Sequence, residues 1–453
     1  MCVRPRSWVA WIADQEIWLL IAGVSLVMFT SRWATWGLGT LAVAWFLRWL
    51  GRGSPTVRTA LDGPAILLLV TIPVTLAVTS DRRTTFTAVS RLLAGLALCY
   101  GLANWARERS HFPVLTLGLA AAGIGLALFA TVSVIWPVGS KLPIIPRAFY
   151  SKMTILVSDT INANMMAGAL MMILPFVVSM TFFGDKLSSA SGAVPASAAR
   201  LLDSRWVRRL WFGTSALLVG TLLVLTKSRG GWIAGGVSLF VLLAGRWPRM
   251  LWLIPAVLLA FGLLLWRGEA SGLLDAVVFA GSSPVDDPGS IPPGWSGRPE
   301  IWSRAIYMIQ DFPLTGIGAG TFASVADVLY PFLSFRPHLE VTHAHNLFLQ
   351  IAVDLGLPGL VAYLAILLLS LWGAVSNARF YRRTGQYGQA ALAWAGLSSL
   401  AGMLVHGTVD ATTWIVGRGS FLPWVVVGTI VAQSGIRAAD GCEQTNSAGR
   451  DTP

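Results

Sequence analysis

Two histidines one residue apart, His343 and His345, stand directly ahead of Asn346 and a long apolar run in the stretch THAHNLFLQIAVDLGLPGL, Thr342 to Leu360. Ionisable groups are costly to desolvate at a membrane boundary, so a cluster held there is a functional candidate. Asn346 is suited to cap a helix, and the positive end of that helix disfavours imidazolium. A neutral His345 can then take a proton from a hydroxyl. His343 lies on the same side if the segment is extended and can orient the same substrate. The competing account is a hydrogen-bonded pair with a purely structural role. A zinc centre needs further ligands at the right spacing, and no cysteine or third nearby histidine supplies one. Neither a metal nor another cofactor is expected.

A second motif is Thr226-Lys227-Ser228-Arg229-Gly230-Gly231-Trp232, at a predicted turn between two apolar runs. Ser228 can cap the second run, and the two glycines would let an anion approach its free N–H groups. Arg229 offers a fixed fork of donors that matches phosphate oxygens. The alternative is a basic side chain snorkelling at the interface. A third motif, Gly297-Arg298-Pro299-Glu300-Ile301-Trp302, places Arg298 at the mouth of a short helix, where it either binds an anion or pairs with Glu300 or Asp311. The nearby Gly316-Ile317-Gly318-Ala319-Gly320 reads as a tight turn in preference to a phosphate cradle. Asp159, Asn162 and Asn164 before one apolar run, and His406 with Asp410 in a later loop, read as groups satisfying helix ends. His406 and Asp410 would share a face if helical. No Asp-x-Asp occurs in a predicted outer loop, which argues against metal-dependent sugar transfer.

The elements that must position these residues are membrane helices. The chain has 453 residues, 55% hydrophobic and 12% charged, where soluble domains carry about 25% charged residues. Repeated apolar runs predict an all-α polytopic membrane protein of about twelve spans. They are read at 16–31, 33–47, 64–80, 86–105, 113–136, 163–183, 209–226, 231–245, 250–266, 346–373, 388–407 and 418–434. The second and eighth are short enough to be tilted or re-entrant. Basic residues such as Arg48, Arg52, Arg107, Arg109, Arg208, Arg209, Arg382 and Arg383 concentrate on one set of loop ends, which puts both termini inside. The net charge of +12 is thereby an orientation signal, and no basic soluble face invites nucleic acid. Cys2, Cys99 and Cys442 are scattered, so no disulfide framework is available. The first apolar run has no cleavage site after it and reads as an anchor.

Two segments break the rhythm. Residues 184–208 read as a Ser/Ala-rich inner connector. Residues 267–342 form a long outer segment, opening Gly/Ser/Pro/Asp-rich and turning periodic between Arg298 and Val325, with Trp302, Ala305, Ile306 and Ile309 on one face and Pro313 ending the helix. A connection this long is usually functional. The membrane domain is expected over residues 1–436, followed by a disordered inner tail at 437–453.

In this order, INANMMAGALMMILP, TKSRGGWIAG, GRPEIWSRAIYMIQDFPLTGIGAGTF and HAHNLFLQIAVDLGLPGL resemble the O-antigen ligase/O-antigen polymerase family of bacterial membrane glycosyltransferases, over roughly residues 161–360. The resemblance implies a GT-C-type fold with a large extracytoplasmic loop, here about 267–344, in the bacterial cytoplasmic membrane with its site facing outward. It implies a glycan donor on undecaprenyl diphosphate, a glycan, lipid or protein acceptor, and metal-independent transfer with inversion. The family's essential arginines align with Arg229 and Arg298, and its loop histidine with His345. Ser228, Asn164, Asn346, His343 and Glu300 are the accompanying candidates for substrate binding. Ligases, polymerases and protein O-oligosaccharyltransferases share these motifs. A transporter or flippase is the alternative from another class, compatible with twelve helices and with Arg91 inside a span. Transporters usually carry paired repeats and broken helices at mid-membrane; no repeat is found here, and the polar cluster lies in one outer loop.

Overall fold

The computed structural model describes residues 16–29, 31–106, 111–136, 160–182, 204–255, 297–333, 341–415 and 417–448, with single positions 148, 150, 152, 155, 156, 259 and 263 besides. The 184–203 part of the inner connector, most of the ninth expected span, the Gly/Ser/Pro/Asp-rich opening of the outer segment and Asp159 lie outside the described residues.

The described chain is helical almost throughout: α1 Glu16–Phe29, α2 Ala34–Arg52, α3 Asp62–Val78, α4 Arg82–Trp105, α5 His111–Ser133, α6 Ala163–Phe182, α7 Arg205–Leu225, α8 Arg229–Arg246, α9 Arg298–Asp311, α10 Phe322–Leu329, α11 Leu347–Arg383, α12 Tyr387–Gly407 and α13 Leu422–Ala448. A two-residue parallel pairing of Val134–Ile135 with Ile161–Asn162 is the one sheet among the described residues. Seven helices are long and apolar enough to cross a membrane, with Glu16–Met28 and Asp62–Val78 as shorter apolar ones. The chain is therefore a polytopic membrane protein, though twelve spans are more than the described residues show. Helices α2 and α8 run 19 and 18 residues, longer than the apolar runs suggested. At 1.5 Å per residue each reaches about 27 Å, close to the hydrocarbon thickness. Helix α13 continues to Ala448, through the start of the expected tail at 437.

Side chains that project from the bundle are apolar, among them Trp36, Phe46, Leu217, Leu368 and Trp372, as a lipid-facing surface requires. Buried charge is paired: Glu16 at the start of α1 accepts from Arg48 near the end of α2 at 2.7 Å. Arg91 of α4 donates to the Ile415 carbonyl at 3.0 Å, pinning the loop between α12 and α13.

Helix α11 is not one rod. Gly356 sits at φ 72°, ψ 179°, and Pro358 follows. A side chain here would meet the Leu314 and Pro313 backbone at 2.6–3.0 Å, so the close approach and the positive φ both require glycine. The break frees backbone groups that lipid would leave unpaired. The outer segment pairs them: Ile317 N–H donates to Val353 C=O (2.9 Å), and Leu357 N–H donates to Pro313 C=O (2.7 Å). The expected single span at 346–373 is thus two helices with the Pro313–Ile317 turn seated in the joint.

That outer unit has its own small core of Ile301, Ala305, Met308, Ile317, Phe322, Val325, Ala326, Val341, Ala344 and Val353. The buried face of α9 is Ile301, Ala305 and Met308, with Ile309 packed beside it. Ile306, expected on that face, is exposed and Trp302 is half-buried. Helix α9 ends at Asp311, two residues before Pro313.

Candidate functional site

The turn between α7 and α8 is built by its own sequence. Lys227 takes a left-handed φ of 52°, and Ser228 then caps α8 by accepting from Gly231 N–H at 3.1 Å. Trp232 Nε1 closes the hairpin onto Leu223 C=O at 3.1 Å. Gly231 serves packing, because a Cβ there would lie 2.7 Å from Ala167 Cβ of α6. Gly230 likewise allows close approach, since a Cβ there would lie 2.9 Å from Val409 Cγ2. The turn leaves Arg229 half-buried at the first position of α8.

The histidine turn is equally specific. Asn346 Oδ1 caps α11 by accepting from Phe348 N–H (3.0 Å) and Leu349 N–H (3.1 Å). Its Nδ2 donates to Thr408 C=O at 3.0 Å and so ties the turn to the end of α12. The residue before the cap is not extended: His345 has φ 47°, which for a non-glycine stores about 1 kcal/mol or more. Its N–H donates to His343 Nδ1 at 3.1 Å. His343 therefore carries its own proton on Nε2. The two rings are 4.1 Å apart between centroids.

Asp410 completes the arrangement. Its Oδ1 lies 4.0 Å from His343 Nε2 and 4.0 Å from His345 Nδ1, and it accepts from Ala411 N–H at 2.8 Å. His406, buried in the last turn of α12, packs against Gly168 of α6 and Gly230 of α8. Helix α12 stops at Gly407, so His406 and Asp410 are joined by a tight turn, with Asp410 N–H donating to His406 C=O at 2.9 Å, and not by a shared helix face. Both had been read as groups satisfying helix ends. An acid in a loop of otherwise uncharged residues was the available signal.

The electrostatics bind the set together. Burial lowers the Arg298 pKa, with Asp410 opposing and Arg229 adding to the shift, so the two guanidiniums feel one another. Burial pushes His345 down to about 4, helped by His343 and Arg298 and opposed by Asp410. His343 is likewise lowered by burial. Both are neutral near pH 7, with burial as the main cause; the sequence suggested this for His345 alone, from the helix end. Burial would raise Asp410, yet His343, His406, His345 and Arg298 together hold it below the usual carboxylate range. It is an anion at neutral pH.

The remaining candidates are placed elsewhere. Glu300 accepts from Leu333 N–H at 2.6 Å and pairs with Arg304 at 3.3 Å, inside the outer unit. Asp311 receives the Tyr330 hydroxyl, and Asp410 is an acid whose charge acts on Arg298. Asn164 sits in the first turn of α6, half-buried, its N–H donating to Asn162 Oδ1 at 2.8 Å. The Gly316–Gly320 turn cradles no phosphate: the N–H groups of Ile317, Ala319 and Gly320 go to Val353 C=O, Thr75 Oγ1 and Asp354 Oδ1. His343, His345 and Asp410 offer ligand atoms all within 4.8 Å of one another and are the described group able to hold a metal.

Fold and site together define a polytopic α-helical membrane protein with two arginines and a histidine–aspartate cluster at one end of its bundle. Residues 214–364 match the family model described as O-antigen ligase. The segment carries an O-antigen ligase domain and indicates membrane function of the O-antigen ligase/polymerase type. It contains Arg229, Arg298, His343 and His345, while His406 and Asp410 lie beyond its end. No curated protein matches the chain.

Proposed function

We propose that this protein transfers a glycan from undecaprenyl diphosphate to an acceptor hydroxyl on the outer face of a bacterial cytoplasmic membrane, as a ligase or polymerase of surface polysaccharide. The observation that carries this reading is the meeting of Arg298, Arg229 and the His345–Asp410 pair at one end of the bundle, within and beside the matched segment.

The acceptor O–H attacks the anomeric carbon and its proton passes to His345. Nδ1 of His345 faces Asp410, so the proton is taken at Nε2. The glycosidic C–O bond breaks with its electron pair going to the lipid diphosphate, and the anomeric centre inverts. Arg229 and Arg298 bind the charge that grows on the leaving group, which lowers the barrier without a metal. Asp410 steadies the imidazolium as it forms. The 4.0 Å gap is long for a hydrogen bond, but such contacts tighten in the reacting complex. A base with a pKa of about 4 is weak in the free protein. A bound diphosphate places negative charge beside it and raises that value towards the working pH. His343 orients the pair, and Asn164 remains a candidate contact to the sugar. Ser228, Asn346 and Glu300 act by holding the frame. We assign the membrane domain to residues 1–436 and its outer segment to about 267–344.

The broken helix α11 is the feature that favours a transporter. Its freed groups, however, are taken by Ile317 N–H and Pro313 C=O and are not available to a travelling substrate. The test is purified protein in detergent with an undecaprenyl-diphosphate glycan and, separately, more of that glycan, a lipid A core, or a protein acceptor. Transfer to one of the three is expected. Absence of transfer to all, with movement of the lipid-linked glycan across vesicles, would establish transport instead.

A further inference from the structure

Asp354 lies about two helical turns inside α11, just before the break at Gly356, and is fully buried. Its Oδ1 accepts from Gly320 N–H at 2.9 Å and from Gln350 Nε2 at 2.9 Å. Its Oδ2 accepts from Trp414 Nε1 at 2.8 Å. Each donor belongs to a different part of the site. Gly320 is in the turn that docks the outer unit whose first helix begins with Arg298. Gln350 passes the connection on, since its Oε1 accepts from Ala344 N–H at 2.7 Å, between His343 and His345. Trp414 is four residues from Asp410 in the loop after α12. Even the Asp354 backbone takes part: its C=O accepts from Thr75 Oγ1 (3.0 Å), which in turn accepts from Ala319 N–H (2.7 Å).

We infer that Asp354 is a positioning residue for the transfer: one carboxylate fixes the outer unit, the histidine turn and the Asp410 loop relative to one another. It touches no reacting atom and acts through Gln350, Gly320 and Trp414. The inference rests on the function proposed above. A carboxylate is required because three N–H donors converge on it from two sides. In an amide, one side must present N–H to N–H, whichever way it is turned. Gln350 cannot turn to compensate without releasing Ala344 N–H. With the amide oxygen kept on Gly320 and Gln350, the unit carrying Arg298 stays docked, and the clash falls on Trp414. A displacement of the Asp410 loop by a fraction of an ångström then separates Asp410 from His345 and misplaces the base while leaving the arginines on the diphosphate.

Asp354→Asn is therefore expected to lower kcat between about tenfold and a hundredfold, with donor KM little changed. Gln350→Leu should reproduce that split with Asp354 intact. Asp354→Asn combined with Trp414→Phe should recover turnover, because the amide no longer opposes the indole N–H. A kcat loss that tracks melting temperature across all three proteins, or an Asp354→Asn protein with unchanged turnover, would overturn the inference. A second readout does not depend on glycosyl transfer: the rate at which diethyl pyrocarbonate modifies His345, followed by mass spectrometry. It should change in Asp354→Asn and Gln350→Leu and return in the double variant. If the wild type transfers no glycan but these rates behave so, the positioning role stands and the proposed reaction falls. Unchanged rates would remove the positioning role whatever the activity.

Discussion

His345 Nδ1 stands 4.0 Å from Asp410 Oδ1, although the two residues are separated by all of helices α11 and α12. The pair is assembled because the chain enters the bundle as α11 just after His345, returns along α12 to the same end at Gly407, and is stitched across by the Asn346–Thr408 hydrogen bond. His345→Ala should abolish transfer while donor binding persists, since the arginines carry that binding. Asp410→Asn should preserve donor affinity and reduce kcat by on the order of 10²–10⁴, as for loss of the carboxylate behind a catalytic imidazole. Donor affinity and turnover measured side by side decide the matter. Loss of donor binding with normal turnover at saturation would mean that this end of the site grips the diphosphate.

The same burial gives a pH prediction. His345 is lowered from 6.5 to about 4 in the folded protein, so the unfolded chain binds the extra proton first as pH falls. The stability it contributes is complete above about 6.5 and is lost on descending to about 4. His343 is shifted the same way. Melting temperature in detergent should therefore be flat from neutral pH upward and decline between those values, with a shallower decline in His345→Gln. For activity, the acid limb of kcat/KM should fall near pH 4, and that of kcat should lie higher because the bound diphosphate favours imidazolium. A kcat/KM limb at 6.5 would show His345 to be solvated in the working enzyme.

Apolar runs and local motifs made most of this architecture legible. The caps at Ser228 and Asn346 follow from side chains one step ahead of a helix, and α9 with its stop before Pro313 follows from period and proline. What escaped was long-range. Nothing local in Gly356 says that an outer turn will fill the break in α11, because the pairing partners lie about forty residues away. Asp410 was hidden for the same reason: its meaning comes from His343, His345 and Arg298, which belong to other segments. Glu300, an acid near a key arginine, has partners that include Leu333 and Arg304, and Leu333 lies too far along the chain for a local motif to announce it.

Arg229 and Arg298 are expected to share the donor diphosphate. Alanine at either position should cost on the order of 10²–10³ in turnover, the scale of losing one donor to a developing anion. Lysine should rescue poorly, since it lacks the planar fork. Burial and Arg229 disfavour the charged form of Arg298 while Asp410 favours it, so removing Arg229 takes away one of the two opposing effects. Arg229→Ala should then raise the thermal stability of the protein without donor and diminish the stabilisation that added donor brings. Full activity of Arg229→Ala with a lipid diphosphate donor would misplace the donor site.

The topology is checked by labelling from outside intact cells in a background lacking Cys2 and Cys442, where Cys99 is buried. Leu333 in the outer unit and Tyr387 at the start of α12, the positions to be changed to cysteine, are both well exposed. An impermeant maleimide should modify the first and spare the second until the membrane is opened. The reverse pattern would put Arg298 and His345 in the cytoplasm, where the proposed acceptors are not.

Metal dependence remains to be separated from metal binding. The ligand atoms of His343, His345 and Asp410 lie within 4.8 Å of one another, with the His–Asp distances at 4.0 Å. Ligands at about 2.0–2.1 Å in a tetrahedron sit roughly 3.3–3.4 Å apart, so zinc must draw the three inward, and it would find Arg298 as a like-charged neighbour. Chelator should leave transfer unchanged, because the arginines already serve the leaving group. Added zinc should inhibit by occupying the ring nitrogens, be reversed by chelator, and inhibit His343→Ala less well than the wild type. A wild-type protein silenced by chelator and restored by zinc would instead make this cluster a metal centre and displace the arginines from their assigned role.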